Sequence, residues 1–572
     1  MAAVLGISGF YHDAAAALVV DGEVVAAMHE ERFDRVKHSA ALPERAARAC
    51  LAMGGVDAGA LDAVVFYEEP FPKFERLLGW LVATFPRAPR YFARVLRSEL
   101  SRKLWVLDEI SETLGVERKR VRAVPHHLSH AASAFFVSPF EDAAVLTVDG
   151  VGERTTTEIW HAHGTSLKPC FSVEFPHSLG LFYAAITAYA GFEVLEGELK
   201  LMALAAYGEP RYADELARVL RLGTDGDFTL DPRYFDAFTD SELGFGRELE
   251  RLLGPARRPE KPWDFAGNTE DRRYADVARS AQLLVEEALL ALARRARRET
   301  GADALCLAGG VALNATANAR IAEESGFSRV FVQPAAGDAG GALGAAILGA
   351  LELGDGRPAA LVSPALGQSV DASAGADLAV RLGLWVSRPS RPFERAAEIL
   401  ARGGIVALAS GRAEWGPRAL GFRSLLAPAH DARLRDALNR RVKGREPFRP
   451  FAPSALDQNT HAMFHHVGTD MTPFMTTLCR ARDAARGELS GVLHVDGTSR
   501  LHAVTPERAP ALAEILGEYE RRTGRRALLN TSLNGAGEPI VGSETDAVAF
   551  FASHAAVDAL LVDDVLVERR AP

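Results

Sequence analysis

The same order of strand-like and helix-like segments occurs twice in the first part of the chain. Residues 4–29 alternate between strand, loop and turn, and Asp21-Gly22 between two apolar runs is the strongest short-range signal for a β-hairpin. After Asp149, the runs TTTEIWHAHGTSL and CFSVEFP predict a second hairpin, followed by the helix-like segments SLGLFYAAITAYAGF and GELKLMALAAYG. Two halves with the same order predict a duplicated α/β domain with its ligand cleft between them.

Length and composition limit the class of protein. The 572 residues are too many for one hydrophobic core and indicate two or three domains. The cysteines lie far apart without a CxxC pair, which argues against disulfide frameworks and zinc ribbons and favours a reducing cytoplasm. They are Cys50, Cys170, Cys306 and Cys479. The N-terminus lacks a basic region, and the longest apolar run, near AGGALGAAILGALEL, is too short for a membrane span. We therefore expect a cytoplasmic protein without membrane contacts.

The charge distribution argues against nucleic acid as a partner. The net charge is −10, whereas nucleic-acid binders carry a basic domain. One short segment is nevertheless rich in cations: Arg412, Arg418, Arg423, Arg440, Arg441, Lys443, Arg445 and Arg449. A solvated charged face is one explanation. The surrounding glycines, prolines and aromatics favour the other, a pocket for a small anion, because guanidinium groups match the geometry of phosphate.

Two histidines and an aspartate form a candidate metal site. His126 and His130 are four residues apart, so a helix would place both imidazoles on one face with Cβ atoms about 5 to 6 Å apart. Asp149 ends the strand-like run AAVLTVDG and would complete one side of the coordination shell. The alternative is a pair of surface or capping histidines near a helix start.

Loops after the predicted strands carry polar and glycine residues. The loop SGFYHDAA would project Ser8, His12 and Asp13 from the strand ends, either to hold a phosphate or as a plain polar turn. Further on, ALCLAGGVALNATANARI and VFVQPAAGDAGGALGAAI each predict a strand, a glycine-rich loop and a helix. Their glycines allow close approach of a phosphorylated ligand, so the two units together predict nucleotide binding. The residues concerned are Gly309, Gly310, Asn314, Asp338, Gly340 and Gly341.

Two longer stretches are predicted to be helical. The run from Arg272 to Glu299 has apolar residues at helical spacing, as in a long core-packed helix. Residues 66–120 contain aromatic and basic amphipathic runs, which predict a packed helical insertion without a readable role.

Taken over nearly its whole length, the chain resembles the O-carbamoyltransferases of nodulation-factor and antibiotic tailoring, the tobramycin and cephem carbamoyltransferase type. The matching motifs are GFYHDAAAALVVDG, EERFDRVKH, HHLSHAASAF, EGELKLMALAAYG, LAGGVALN, GDAGGALGAA, GRAEWGPRALGFRS, REPFRPFAPS, HVDGTSR and LLNTSLNGAGEPIV. The resemblance implies a domain of the actin-like ATPase superfamily, similar to the protein that transfers threonylcarbamoyl to tRNA. It also implies a smaller YrdC-like α/β domain, similar to the adenylate-forming enzyme of that pathway.

The expected division of the chain is residues 1–355 for the actin-like domain, 356–384 for a linker and 385–572 for the YrdC-like domain. The linker is rich in proline, glycine and alanine, and apolar periodicity lapses there.

The resemblance also assigns residues. The family's metal ligands match His126, His130, Asp149 and Asp338, with iron the usual ion and manganese or zinc as alternatives. His12 matches the residue that deprotonates the acceptor hydroxyl, and Asp13 belongs to the same motif. The pocket for carbamoyl phosphate and ATP matches Arg418, Lys443, Arg449, Arg500, Asn530 and Ser532, of which Arg418 and Lys443 are expected to act in catalysis. Leu501-His502 departs from the family pattern, in which many members have glutamine at the second position.

The implied reaction has two stages. Carbamoyl phosphate and ATP, the latter with Mg²⁺, form carbamoyl-adenylate in the C-terminal domain, and the carbamoyl group then passes to a hydroxyl of a small natural product at the metal site. Carbamoylation of a macromolecule, as in tRNA threonylcarbamoylation or hydrogenase maturation, is one alternative. A non-enzymatic actin-like ATPase scaffold is the other. The acceptor, the native metal and the choice between monomer and homodimer stay open.

Overall fold

A computed structural model describes residues 2–84, 93, 96–97, 102–235, 244–265, 268–465 and 470–569 of the chain. Within this part, no helix is both long enough and apolar enough to cross a membrane. The predicted basic amphipathic run between positions 90 and 105 lies mostly outside the described residues.

The first sheet has five strands in the order β3-β2-β1-β4-β5. The strands are β1 Ala3–Ser8, β2 Ala15–Val20, β3 Glu23–His29, β4 Ala63–Phe66 and β5 Val121–Ala123. The first three strands pair antiparallel, and β1, β4 and β5 run parallel. Asp21 and Gly22 both have positive φ, at 51° and 80°, as the two central residues of a type I′ turn require, so the predicted hairpin is confirmed.

The second sheet repeats this topology in the order β8-β7-β6-β11-β12. Its strands are β6 Asp142–Val148, β7 Thr155–His163, β8 Ser166–Glu174, β11 Ala304–Ala308 and β12 Arg329–Val332. Here too the first three strands pair antiparallel, while β6, β11 and β12 run parallel. The predicted α/β class is confirmed, and the predicted repeat is present in the strand order. A separate small hairpin pairs β9 Leu220–Leu222 with β10 Phe228–Leu230.

Helices surround these sheets. Their bounds are α1 Glu31–Asp34, α2 Glu44–Gly54, α3 Pro70–Thr84, α4 Val106–Leu114, α5 His126–Phe135, α6 Leu179–Tyr189, α7 Glu198–Ala205, α8 Ala213–Leu216, α9 Arg247–Leu253, α10 Thr269–Thr300, α11 Ala315–Glu324 and α12 Asp338–Glu352. The long helix α10 confirms the helix that the sequence predicts from Arg272 to Glu299.

The helices α5 and α12 pack against each other between the two sheets, and α12 also lies on β1. Two glycines permit this close packing. A Cβ on Gly6 would lie 1.9 Å from the carbonyl oxygen of Ala342, and one on Gly344 would lie 1.8 Å from that of Ser129. Because these contacts leave no room for a side chain, α12 packs directly against the backbones of β1 and α5.

The C-terminal part contains an eight-stranded mixed sheet in the order β13-β23-β22-β14-β15-β21-β16-β20 and a three-stranded sheet β17-β18-β19. The bounds are β13 Trp385–Ser387, β14 Val406–Ala409, β15 Arg423–Pro428, β16 Ala452–Leu456, β17 Phe464–His465, β18 Cys479–Ala481, β19 Thr498–Ser499, β20 His502–Val504, β21 Ala527–Ser532, β22 Ala559–Val562 and β23 Val565–Glu568. Its helices are α13 Ala372–Arg381, α14 Pro392–Ala401, α15 Ala432–Leu438, α16 Asp457–Met463, α17 Pro510–Thr523 and α18 Glu544–Ser553, and Asn439–Lys443 form a π-helix after α15.

The segment expected to link the domains contains both irregular chain and regular structure. Helix α13 lies within residues 356–384 and packs on α18 and β23 of the C-terminal sheet. The two parts of the chain also contact each other directly, since Trp415 and Met475 belong to the same buried hydrophobic cluster as Ile7 and Val65. The division at 355 and 385 stays a prediction.

Candidate metal and anion sites

Four side chains that the sequence singles out as metal ligands lie together between the two sheets. One potential ligand atom from each of His126, His130, Asp149 and Asp338 lies within 4.8 Å of the others. Nε2 of His126 and Nε2 of His130 are 2.9 Å and 3.2 Å from the same carboxylate oxygen, Oδ2 of Asp149. Oδ1 of Asp338 is 3.7 Å from Nε2 of His130. All four residues are less than 10% exposed.

Local structure brings these ligands together. His126 is the first residue of α5 and His130 lies one turn further along, so that the four-residue spacing places both rings on one face. Glu153 accepts the hydrogen bond of the His126 backbone N–H at 2.9 Å. Asp149 directly follows β6, and Asp338 is the first residue of α12. The structure therefore agrees with the predicted i, i+4 arrangement on a helix.

The electrostatics of this cluster favour a cation. Burial alone lowers the pKa of His130, but Asp149 and Asp338 outweigh it and raise that pKa to about 9. Burial raises the pKa of Asp149, yet its hydrogen bonds from His126 and His130 hold it well below the usual range. Nε2 of His126 and Nε2 of His130 lie only 3.2 Å apart, so their lone pairs would repel each other unless a proton or a metal ion lies between them. A buried set of two imidazoles and two carboxylates suits a divalent metal, and several metals accept such ligands.

His12 and Asp13 lie beside the metal-ligand cluster. Nε2 of His12 is 3.7 Å from Oδ2 of Asp338, and Nδ1 of His12 is 2.9 Å from Oδ2 of Asp13. Burial lowers the pKa of His12, but Asp338 and Asp13 outweigh it and raise the pKa to about 10. A divalent cation bound by Asp338 opposes this rise, because it takes up the negative charge that favours the imidazolium. Tyr67 donates its hydroxyl hydrogen to Oδ2 of Asp338 at 3.1 Å.

The predicted nucleotide-binding glycines surround the same cluster. The backbone N–H of Gly310 donates to Oδ1 of Asp149 at 3.1 Å, and Gly309 has a φ of 89° in the turn after β11. Gly340 lies in the first turn of α12 and is buried. Asn314 caps α11 and exchanges two hydrogen bonds of 3.0 Å with Gln282. These residues therefore lie at or near the metal-ligand cluster, and their contact with a nucleotide stays a prediction.

The residues predicted to bind carbamoyl phosphate and ATP form a second group. They are Arg418, Lys443, Arg449, Arg500, Asn530 and Ser532, and all of them line one cavity of about 640 Å³. Lys443, at the end of the π-helix, donates hydrogen bonds to Oγ of Ser532 and to Oδ1 of Asn534. Asn530 donates to the carbonyl oxygen of Ala419 at 3.1 Å and to Oγ of Ser454 at 3.0 Å.

The positive charges of the arginine and lysine side chains in this pocket repel one another. Burial, with the cations of Arg500 and Arg449, lowers the pKa of Arg418 well below its usual range. Burial and the neighbouring Arg445 and Arg449 likewise lower the pKa of Lys443. Among the residues that the structure describes, no carboxylate lies within 4.0 Å of the Arg418 guanidinium. An anion in this pocket would relieve the repulsion, which agrees with the prediction of a small-anion site.

The cavity reaches from the anion pocket towards the metal-ligand cluster. Besides the arginines it is lined by Asp13 and His38, and Asp13 is hydrogen-bonded to His12. An internal connection of the two pockets is expected from the implied reaction, because water destroys carbamoyl-adenylate, but the sequence did not indicate which residues line it. It also missed His38, Lys37 and Glu196 in the cavity wall. Lys37 and His38 are part of the motif EERFDRVKH, and Glu196 begins the motif EGELKLMALAAYG, so membership of these two motifs was the available signal.

Comparison with known proteins identifies the family of this chain. The family model described as carbamoyltransferase N-terminus matches residues 3–347, and the model described as carbamoyltransferase C-terminus matches residues 397–569. An uncharacterised protein of Synechocystis sp. is 37% identical over 615 residues, covering 100% of this chain and 97% of the relative. The nodulation protein NolNO of Sinorhizobium fredii is 36% identical over 580 residues, covering 98% of this chain and 79% of the relative.

Nodulation protein U of Sinorhizobium fredii is also similar, with 31% identity over 546 residues that cover 91% of this chain and 92% of the relative. Among solved structures, HypF of T. kodakarensis shares 16% identity, with a TM-score of 0.31 over 62% of this chain and 48% of that one, a likeness too weak to support conclusions. The two family models and the full-length relatives show that the chain belongs to the carbamoyltransferase family and is an enzyme that transfers carbamoyl groups.

Proposed function

We propose that the enzyme is an ATP-dependent O-carbamoyltransferase that makes carbamoyl-adenylate in its anion pocket and uses it at the metal-ligand cluster. The observation that carries this proposal is the cavity of about 640 Å³, which is lined by Arg418 and Arg449 as well as by Asp13 and His38. A reactive intermediate made at one site and used at the other needs such an internal connection, because water destroys it.

The first stage takes place among the arginines. Carbamoyl phosphate is hydrolysed to phosphate and carbamate, and a carbamate oxygen then attacks the α-phosphorus of ATP, accompanied by Mg²⁺, so that pyrophosphate leaves. Arg418, Lys443, Arg449 and Arg500 neutralise phosphate oxygens on which charge develops. Preorganised donors of this kind contribute about 2.7 to 4 kcal/mol each in comparable sites. The mutual repulsion of these cations indicates that the pocket is prepared for an anion before it binds.

The second stage takes place beside His12. The acceptor hydroxyl loses its proton to Nε2 of His12, its oxygen bonds to the carbamoyl carbon, and the bond to AMP breaks, which yields the carbamate ester and AMP. Oδ2 of Asp13 lies 2.9 Å from Nδ1 of His12, and this contact fixes the ring so that Nε2, on its opposite side, is free to accept the proton. His126, His130, Asp149 and Asp338 would hold the metal, for which we propose Fe²⁺ ahead of Mn²⁺ or Zn²⁺. When bound, it supplies Lewis-acid stabilisation of phosphate charge.

The proposed acceptor is a hydroxyl of a small natural product, such as an antibiotic or a glycoside. The acidic net charge of −10 supports a small molecule over a nucleic acid. A scaffold that only binds and hydrolyses ATP has no use for a second pocket rich in cations, which argues against the non-enzymatic alternative.

Pyrophosphate release from ATP, with carbamoyl phosphate and without an acceptor, tests the proposal. We expect release in the wild type and in the His126→Ala variant, and its loss in Arg418→Ala, because the first stage needs only the anion pocket. If pyrophosphate release by the wild type does not depend on carbamoyl phosphate, the proposal is contradicted, and the enzyme only hydrolyses ATP. Loss in both variants contradicts the separation into two sites.

A further inference from the structure

Five charged side chains of alternating sign follow one another along the cavity wall. We call them the ion ladder: Lys37, Glu196, Lys200, Glu446 and Arg449. The N···O distances along the series are 3.0, 4.0, 3.3 and 3.8 Å. Three cations and two carboxylates leave one net positive charge, which equals in magnitude the single negative charge of an acyl-adenylate.

The ladder begins and ends at the two sites. Lys37 directly precedes His38, whose Nδ1 is 2.8 Å from Oδ1 of Asp13, beside His12. At the other end, Arg449 belongs to the anion pocket and acts on the charge of Arg418 and Arg500. The ladder therefore follows the route that an intermediate takes from its formation to its use.

The ion pairs of the ladder are partly exposed to solvent, so their lysines and arginine can exchange a carboxylate for another anion. Each of the five side chains is between 19% and 29% exposed. By contrast, the Arg257–Asp271 pair is only 2% and 0% exposed. Partly solvated pairs contribute little to stability, so a lysine can leave its glutamate for a phosphate without a large cost. Glu196 is shared by two lysines, at 3.0 and 4.0 Å, which makes it the exchange point.

We infer that the ion ladder is a transit site for the phosphate group of an adenylate, at which Lys37 and Lys200 leave Glu196 and bind phosphate oxygens. This inference rests on the proposed function. Glu196 and Glu446 are positioning residues that hold the cations along the cavity wall. They also limit the net positive charge of the ladder, so that the anion binds weakly enough to move on. A wall of lysine and arginine alone would trap AMP.

Binding of AMP to the full-length chain, measured by calorimetric titration at several salt concentrations, tests the inference. We expect Glu196→Gln to bind AMP about tenfold more tightly, and Lys200→Ala about tenfold more weakly, since a charge-assisted hydrogen bond contributes on that order. The salt dependence should be steeper in Glu196→Gln. Glu270→Gln is the matched control, because it removes a carboxylate that pairs with Lys261 at 2.9 Å on the surface, and its AMP affinity should equal that of the wild type.

AMP affinities of Glu196→Gln and Lys200→Ala that both lie within about twofold of the wild type overturn the inference. If Glu196→Gln does not fold, Lys200→Ala decides alone. The wild-type assay of carbamoyl-phosphate-dependent pyrophosphate release separates the two proposals. Release with unchanged AMP binding in the variants rejects the transit site only, whereas absence of release rejects the proposed function.

Discussion

His38 donates a hydrogen bond from Nδ1 to Oδ1 of Asp13 at 2.8 Å, although 25 positions of the chain separate the two residues. The other oxygen of Asp13 lies 2.9 Å from Nδ1 of His12. Asp13 and His38 both have positive φ, at 51° and 53°, a conformation that costs energy in residues other than glycine and is concentrated at functional sites. The carboxylate thus fixes the orientation of His12 from one side and is itself fixed by His38 from the other.

Loss of His12 should abolish most of the transfer stage, whereas loss of His38 should weaken it. A general base contributes about 10²- to 10⁴-fold, so we expect His12→Ala to lower the rate of carbamoyl transfer within that range. His38→Ala leaves the base in place but frees Asp13, and we expect a smaller loss. The measurement is product formation with an alcohol found by screening, alongside pyrophosphate release without it.

A conservative variant separates positioning from folding in that experiment. His38→Gln keeps a side-chain N–H that can donate to Asp13, so it should retain more transfer activity than His38→Ala. Equal losses in the two His38 variants, or equal losses in transfer and pyrophosphate release, would argue for a structural role of His38 only.

Removal of one imidazole should lower the metal content of the purified protein. In His126→Ala, a ligand atom that lies 2.9 Å from Asp149 is lost from a buried site. We expect elemental mass spectrometry to find less bound metal per chain in the variant than in the wild type. Addition of Fe²⁺ should also raise the melting temperature of the variant less than that of the wild type.

His161→Ala is the control for that measurement. His161 is 38% exposed and contacts Asp142 at 3.0 Å, outside the metal-ligand cluster, so its loss should leave the metal content unchanged. Wild-type protein that binds no divalent metal, or His126→Ala with wild-type metal content, would reject the metal site.

Two arginines of the motif GRAEWGPRALGFRS should respond in opposite ways to replacement by alanine. Arg423 is fully buried and donates to the carbonyl oxygens of Ser410, Gly411 and Gln368, so Arg423→Ala should lower the free energy of unfolding by about 3 kcal/mol or more. Arg418→Ala removes a cation from a repulsive cluster and should keep or raise the melting temperature while it abolishes pyrophosphate release. A large loss of stability in Arg418→Ala would mean that this residue is structural.

Short-range patterns predicted three of the four candidate metal ligands, and the fourth, Asp338, came only from the resemblance. The spacing of His126 and His130 fixes their relative placement once the segment is helical, and Asp149 ends a strand that the apolar run already indicates. The hairpin at Asp21-Gly22 follows from the same kind of local rule, because few residues adopt the positive φ that its turn needs.

An internal connection between the two pockets was expected from the reaction that the resemblance implies, but the residues that line it could not be predicted, since they depend on contacts between distant parts of the chain. Glu196 meets Lys37 across more than 150 positions, and Glu446 meets Lys200 across more than 240. Glu196 begins the motif EGELKLMALAAYG and Glu446 belongs to REPFRPFAPS, but neither motif indicates that these two parts of the chain meet. Gly309 illustrates a different limit: a Cβ there would lie 2.2 Å from the carbonyl oxygen of Val148, so packing alone requires glycine, whether or not a nucleotide binds.

His502, at which the sequence departs from the pattern that the resemblance led us to expect, contacts Ser454 and lies 3.5 Å from the side-chain nitrogen of Asn530 in the anion pocket. The side chain is 2% exposed, and Nδ1 is 2.8 Å from Oγ of Ser454, which in turn accepts a hydrogen bond from Asn530. Burial, and to a smaller extent the positive charge of Arg508, lowers the pKa of His502 to about 3. The folded protein therefore holds this histidine in the neutral form.

This lowered pKa predicts a pH dependence that His502→Gln should reduce. As the pH falls from 7.5 to 5.5, the unfolded chain takes up a proton at His502 and the folded chain does not, so the free energy of unfolding falls by about 1 kcal/mol from this residue. Glutamine does not titrate, so the melting temperature of the variant should drop less over the same interval. A drop in His502→Gln equal to that of the wild type would show that His502 is not held neutral.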